Sequence, residues 1–160
     1  MENYKMNLHL INNNRAIRPR KIYVASSWRN PHQTIVVGAL RTGGHSVYDF
    51  KNPRPNDSGF SWSLIDENWE NWSAREYIAA LDHPIAKDGY ASDMNAMKWA
   101  DTFLLLLPCG RSAHLELGWA CGQGKQTILL THDGEEPELM AKMCDHICSS
   151  LQEAVKILAG

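Results

Sequence analysis

Residues 104–125 read LLLLPCGRSAHLELGWACGQGK. With Thr102 and Phe103 in front, the leucine run predicts a strand over 102–107 without a polar face. A sheet accommodates such a strand at its centre, covered on both sides. Pro108-Cys109-Gly110 reads as a turn, and Ser112 as the N-cap of a helix over 112–122. The next strand falls at 127–131. A strand, a tight turn, a helix and a second strand within about thirty residues make the βαβ unit of a parallel sheet.

Working outward, the same rhythm continues. Residues 22–25 are a short apolar strand, and Ser26-Ser27-Trp28-Arg29-Asn30-Pro31 leads into a helix that ends at Gly43-Gly44. A second strand is predicted over 45–50. Residues 51–72, rich in Pro, Asn, Asp and Trp, read as a long structured loop, and Trp62, Trp69 and Trp72 suit packing or a lid. Ser73-Ala74-Arg75-Glu76 is a capping box opening a helix to about Leu81, and Pro84 begins another that runs to about Trp99. Residues 136–143 read as helical, Ile147 as part of a short strand, and 149–158 as a terminal helix. Strands alternating with helices through short links imply right-handed crossovers. The fold expected is α/β, a flavodoxin-like or Rossmann-like three-layer sandwich with a five-stranded parallel sheet of order 2-1-3-4-5. Residues 1–20, with Lys5, Arg15, Arg18 and Arg20, read as a tail or arm, and 21–160 as one domain.

Composition narrows the function. The chain has 160 residues, a formal net charge of -2 and 44% hydrophobic residues; its pI is near 6.4 and its mean hydropathy -0.38. That balance argues against a non-specific binder of nucleic-acid polymers. No apolar run approaches the roughly 20 residues of a membrane span. The first residues lack the apolar core and cleavage site of a signal peptide, so a cytoplasmic protein is expected. Cys109, Cys121, Cys144 and Cys148 show no disulfide framework, and Cys144 and Cys148 around Asp145-His146 lack a second ligand pair. Neither a metal nor another cofactor is expected.

In a sheet of this order the ligand crevice lies beyond the carboxyl ends of the strands, at the switch point between strands 1 and 3. The segments SSWRN and PCGRSAHLE meet there. Glu116, four residues after Ser112, is read as lying near the end of the first helical turn, where the helix dipole favours an ionised carboxylate. The plain interpretation is a dipole partner. An ionised glutamate between Leu115 and Leu117 at the crevice also suits a nucleophile, or a brace for an oxocarbenium-like transition state, better than a general acid.

Three motifs in order give the chain a resemblance over about residues 21–131. They are Ile22-Tyr23-Val24-Ala25-Ser26-Ser27-Trp28, then Asp93 and Asp101 in SDMNAMKWAD, then Glu116-Leu117-Gly118-Trp119-Ala120 followed by Gly124-Lys125. It resembles the nucleoside 2-deoxyribosyltransferase family, including its nucleoside 5'-monophosphate N-glycosidase relatives. The resemblance implies an enzyme that cleaves or transfers at the N-glycosidic bond of a (deoxy)nucleoside or its 5'-monophosphate. Glu116 would attack the anomeric carbon, Tyr23 would orient that carboxylate, and Asp93 would contact or protonate the leaving base. Ser26, Ser27, Trp28 and Arg29 would bind the sugar or phosphate side, with Gly110, Arg111, Ser112 and His114 opposite. Asp101 fits a structural role better than a catalytic one. A homo-oligomer is implied as well.

The chain departs from the transferase pattern at Gly110, where those enzymes carry a second acid and the nucleotide-hydrolysing relatives a phosphate-binding serine. That departure favours hydrolysis of a monophosphate over base exchange. The spacing from Pro108 to Glu116 is also similar to the Pro-Gly-Gly-x-Gly-Thr-x-x-Glu loop of cytokinin-activating phosphoribohydrolases. Two alternatives stand beside this reading: an NAD glycohydrolase resembling the TIR domains, and a non-catalytic nucleotide-binding sensor.

Overall fold

The computed structural model describes residues 18–160, so the arm expected at 1–20 lies almost wholly outside the described residues. Five strands, β1 (Lys21–Ala25), β2 (Ser46–Tyr48), β3 (Thr102–Leu106), β4 (Gln126–Leu130) and β5 (His146–Cys148), pair in parallel in the order β2-β1-β3-β4-β5. Ile22 sits opposite Thr102 and Ala25 opposite Leu105, while Leu104 faces Ile128. The predicted order is the observed one. All five residues of β3 are buried, as an apolar strand with neighbours on both edges and both faces must be.

Strand alternation sends two sets of side chains to opposite faces. One set, Ile22, Val24, Leu104, Leu106, Ile128 and Leu130, packs against α1 (Gln33–Thr42) and α5 (Leu151–Leu158). From α1 come Val36, Val37 and Leu40, and from α5 come Leu151, Ala154 and Leu158, both at helical spacing. The other face carries Tyr23 and Phe103, whose rings stack with centroids 5.0 Å apart; Trp119 of α4 (Arg111–Gly122) lies 6.1 Å from Phe103. The result is the three-layer α/β arrangement. At the amino ends of the strands, Asp101 accepts hydrogen bonds from the Lys21 N–H and the Thr102 hydroxyl, tying β1 to β3. That is the structural role expected of it.

The described chain divides into two compact units, one holding the sheet and the other being Asp49–Lys98. The second contains short 3-10 turns at Trp62–Leu64 and Trp69–Asn71, then α2 (Ala74–Ala80) and α3 (Pro84–Trp99), whose last residue falls at the boundary. The capping box is present: the Ser73 side chain accepts from the Glu76 N–H, and the Glu76 carboxylate accepts from the Ser73 N–H at 2.7 Å. Gly89 lets Phe60 approach α3; a Cβ there would lie 2.9 Å from the Phe60 Cβ.

Several element ends differ from expectation, each for a local reason. The second strand is three residues long because the Asp49 carboxylate accepts from the Lys51 N–H, folding the chain into a turn. The helix expected over 136–143 is a 3-10 turn at Leu139–Met143, because Pro137 holds Glu136 out of helical conformation and Glu138 becomes the cap. The terminal helix starts at Leu151, with Ser150 accepting from the Glu153 N–H. Among the described residues, no helix is long and apolar enough to cross a membrane.

Candidate active site

The helix after the central strand begins one residue earlier than its sequence suggests. Gly110, not Ser112, is the N-cap of α4; its backbone is extended (φ -90°, ψ -176°), and no side chain caps the helix. Glycine tolerates this position nearly as well as serine. Ser112 is consequently an exposed residue inside the first turn, and Glu116 falls in the second turn, which leaves no acid in the first. The dipole effect fades within one turn, so charge complementarity at the helix end no longer accounts for Glu116. Glu116 is half-buried, whereas the neighbouring Leu115 is 76% exposed and Leu117 is buried beneath the helix.

The loops after β1 and β3 are locked together. The Ser26 hydroxyl donates to the Leu106 carbonyl at 2.9 Å. Asn30, only 1% exposed, donates from Nδ2 to the Pro108 carbonyl at 3.1 Å and accepts at Oδ1 from the His32 N–H at 2.9 Å. A buried amide bridging two carbonyl-bearing turns fixes the spacing between the two loops. Ser27 accepts from the Arg29 N–H at 3.1 Å and keeps its own hydroxyl proton available to a ligand. Trp28 and Arg29 are exposed beside it. Ser26, by contrast, has committed its proton to the loop-to-loop tie.

Tyr23 is 1% exposed and its ring is stacked between Tyr48 and Phe103, on the sheet face that meets α4. Lys125 reaches over the Phe103 and Trp119 rings and donates to the Ala100 carbonyl. Asp93 lies on α3, half-buried, in the Asp49–Lys98 unit. Gly110, Arg111, Ser112 and His114 lie together at the start of α4, and all four are exposed. Their backbone N–H groups at the helix start have no capping side chain, an arrangement that favours an anion.

Sequence reasoning passed over four residues here: Asn30, Cys109, His132 and Glu135. Asn30 carried only a turn signal ahead of Pro31, and nothing local marks an amide that bridges to a distant strand end. The Cys109 thiol lies 3.4 Å from His114 Nδ1, which also lies 3.1 Å from the Gly110 carbonyl. The carbonyl can only accept, so Nδ1 carries a proton and is no base toward the thiol. Burial first, then the charges of Glu135 and Glu116, push Cys109 up to about 12. It stays protonated, and the Cys–His pair is not an activated nucleophile. At the end of β4, His132 donates from Nδ1 to the Asp133 carbonyl at 2.9 Å, and its Nε2 pairs with Glu135 at 3.0 Å. Among the described residues, no cluster of three His, Cys, Asp or Glu side chains is arranged to hold a metal ion.

No protein-family model matches the chain, and no curated protein does. Solved structures do match. A 2-deoxyribosyltransferase from the psychrotolerant bacterium Bacillus psychrosaccharolyticus is 22% identical; the alignment covers 84% of this chain and 89% of that one, with a TM-score of 0.59. A conserved protein from Enterococcus faecalis V583 is 15% identical over 88% of this chain and 98% of its own, with a TM-score of 0.55. A CMP N-glycosidase from Clostridium botulinum aligns over 86% of this chain and 96% of its own at 17% identity, with a TM-score of 0.48. The fold of the first two is the fold of this chain.

Proposed function

We propose that this chain is a nucleoside 2-deoxyribosyltransferase-like enzyme that breaks the N-glycosidic bond of a nucleoside or nucleoside 5'-monophosphate, with Glu116 as nucleophile. The observation that carries the reading is the place of Glu116. It stands in the second turn of α4, directly beyond the end of the central strand, in the motif Glu-Leu-Gly-Trp-Ala, on a fold shared with a 2-deoxyribosyltransferase. It has no capping duty there, and the adjacent thiol is held protonated, so the carboxylate is the group able to attack.

In the first step a carboxylate oxygen of Glu116 bonds to the anomeric carbon as the carbon–nitrogen bond breaks. The bonding pair leaves with the base nitrogen, which takes a proton, a role the resemblance assigns to Asp93. The carboxylate also opposes the positive charge that develops on the sugar. In the second step water or the nitrogen of another base attacks the same carbon and gives up a proton to solvent, and the ester bond to Glu116 breaks to regenerate the carboxylate. Tyr23, fixed by stacking, is assigned the orientation of Glu116. Ser27, Arg29 and the uncapped N–H groups after Gly110 suit an anionic 5'-phosphate. The absence of a second acid at Gly110 favours hydrolysis over base exchange.

The enzyme is further proposed to be a cytoplasmic homo-oligomer. Leu139, Met140, Met143 and Ile147 are each more than half exposed and close together in sequence, which suits burial against another copy. Light scattering after size exclusion checks this.

The decisive experiment offers nucleosides, nucleoside monophosphates and NAD to the purified protein, with and without an acceptor base, and follows released base by chromatography. Base release is expected, with Glu116→Gln reducing it on the order of 10³-fold or more while circular dichroism stays native. Undiminished turnover in Glu116→Gln overturns the nucleophile assignment. Nicotinamide as the sole product points to the TIR-like alternative, and thermal stabilisation by nucleotides without any base release points to a sensor.

A further inference from the structure

The chain carries the dipeptide Asp-Gly twice, at Asp88-Gly89 and Asp133-Gly134, and the proposed reaction uses neither. Glycine after aspartate leaves the peptide nitrogen open to reaction with the aspartate side chain, because no Cβ shields it. The backbone decides whether they meet. The aspartate must rotate about its Cα–C bond until the next nitrogen faces its own carboxyl carbon.

Asp88-Gly89 lies in the second turn of α3, where the helix commits each N–H to the carbonyl four residues back. The Asp88 carboxylate accepts from Arg54 at 2.8 Å, and Phe60 packs closely on Gly89. Rotation there would break the helix. Asp133-Gly134 lies in the loop after β4, at the middle of a turn closed by a long hydrogen bond, 3.4 Å, from the Glu135 N–H to the His132 carbonyl. Both residues are exposed, and Gly134, at φ +92°, has no described atom within 4 Å of the position a Cβ would take. The contacts that resist rotation lie at the surface: His132 donates from Nδ1 to the Asp133 carbonyl at 2.9 Å, and its Nε2 pairs with Glu135 at 3.0 Å. Surface contacts of this kind open by local fluctuation while the rest of the fold stays intact.

We propose that Asp133-Gly134 is a self-modification site, at which the folded protein converts Asp133 to isoaspartate through a cyclic imide. The Gly134 nitrogen bonds to Asp133 Cγ, and one carboxyl oxygen leaves as water, taking the amide proton and one from solvent. Water then adds to either carbonyl of the ring. Opening at the side-chain carbonyl restores aspartate; opening at the main-chain carbonyl leaves isoaspartate, with the chain running through Cβ and Cγ. Either opening returns a carboxylate and releases the borrowed proton, so one water is lost, one is gained and nothing is oxidised. The product has one more main-chain methylene between His132 and Glu135, so the ion pair across the turn must readjust.

The test incubates the folded full-length protein in water enriched in oxygen-18 at neutral pH, then digests it with trypsin in ordinary water for chromatography and fragmentation mass spectrometry. Expected is heavy oxygen at Asp133 in peptide 126–142, with a second chromatographic form of that peptide carrying isoaspartate, while Asp88 in peptide 88–98 stays unlabelled. Protein unfolded in guanidinium chloride is expected to label at both aspartates. In folded Asp133→Asn the same imide forms with loss of ammonia, and isoaspartate is expected at position 133 sooner than in wild type. Labelling of Asp88 as fast as Asp133 in the folded protein overturns the proposal. So does a folded Asp133 that stays unlabelled while the unfolded chain labels there.

Discussion

The sheet-bearing unit buries many large aliphatic side chains beside the Tyr23 and Phe103 rings: Ile22, Leu40, Leu104, Leu105, Leu106, Ile128, Leu130 and Leu158 are each at most 1% exposed. In the Asp49–Lys98 unit the buried apolar residues are Ala80, Ala86, Ala96 and Met97, while Ile78 and Tyr90 are 63% and 68% exposed. Order in the second unit rests on many small contributions. Phe60, Trp72 and Tyr77 each meet Trp62 edge to face at 4.8–5.9 Å. Arg54 bridges Asp57 and Asp88 at 2.7 and 2.8 Å. Aromatic pairs contribute about 0.5–1.5 kcal/mol each beyond their buried area, and exposed ion pairs at most about 1 kcal/mol. One unit is stabilised by burial and the other by contacts near its surface, so the same kind of substitution has different consequences in each.

The largest difference is expected from leucine and isoleucine truncation. Leu104→Ala, in the middle of β3, removes a side chain with 0% exposure and leaves a cavity, costing about 3–5 kcal/mol. Ile78→Ala, on an exposed face of α2, is expected to change stability by about 0.5 kcal/mol or less. Urea melts of the two variants measure this directly. Equal shifts in midpoint would erase the contrast, and a large loss for Ile78→Ala would mean that its face is covered by another chain.

Next in size is Asn30, which belongs to the sheet-bearing unit but acts through hydrogen bonds. Asn30→Ala strands the Pro108 carbonyl and the His32 N–H, at a cost of about 1–3 kcal/mol. Because those bonds set the distance between the loops after β1 and β3, base release is expected to fall together with stability. Asn30→Asp retains the acceptor for His32 but not the donor for Pro108, and should lie between alanine and wild type in thermal melts.

Asn30 also marks where sequence reading stops. The leucine run at 104–107 needed only hydrophobicity to declare a central strand, and the strand order followed from alternation alone. The Ser73 capping box was equally local, with both partners within three residues. The start of α4 was displaced because Ser112 is the stronger capping type, yet the backbone straightens at Gly110, a choice made by the turn leaving β3. Asn30 is distant in sequence from its carbonyl partners, and His132 with Glu135 lies in a loop without periodicity. The nucleophile candidate was legible because its neighbours Leu115 and Leu117 made a charge conspicuous; Tyr23, Asp93, Ser27 and Arg29 were named only through the family resemblance, and the tie through Asn30 was not legible because it arises only in three dimensions.

A smaller effect tests the second unit. Ser73→Ala removes the acceptor for the Glu76 N–H at 3.3 Å and is expected to cost about 1 kcal/mol. Hydrogen exchange should show that loss in α2, with little change in β3 and β4. Faster exchange of equal size in the sheet would show that the two units unfold together.

The smallest expected effect separates the units by pH. In the sheet-bearing unit, burial and then the Arg20 charge lower the His45 pKa, against an opposing pull from Asp101. Its Nδ1 accepts from the Arg20 N–H at 3.2 Å, so the native contact needs the neutral ring. The unfolded chain takes up a proton in the ordinary histidine range and the folded chain only below it. The stabilising contribution of neutral His45 is therefore complete above that range, falls as pH drops through it, and levels off below the folded value. In the Asp49–Lys98 unit the sign is set by carboxylates: the Gly59 N–H and then Arg54 lower Asp57, the Asn68 N–H and then Trp72 lower Asp66, and the Ser73 hydroxyl and then its N–H lower Glu76. Their contribution is present above the ordinary carboxylate range and is lost as pH falls through the folded values. Relative to the intrinsic amide rate at each pH, exchange measured from about pH 7.5 to about pH 5.5 should accelerate around β1 and β2 while α2 holds steady. His45→Asn, whose Oδ1 can still accept from the Arg20 N–H, should flatten the first response and leave the acid response of α2 unchanged. Acceleration in α2 within that window, or an unaltered slope in His45→Asn, would break the assignment of the near-neutral step to His45.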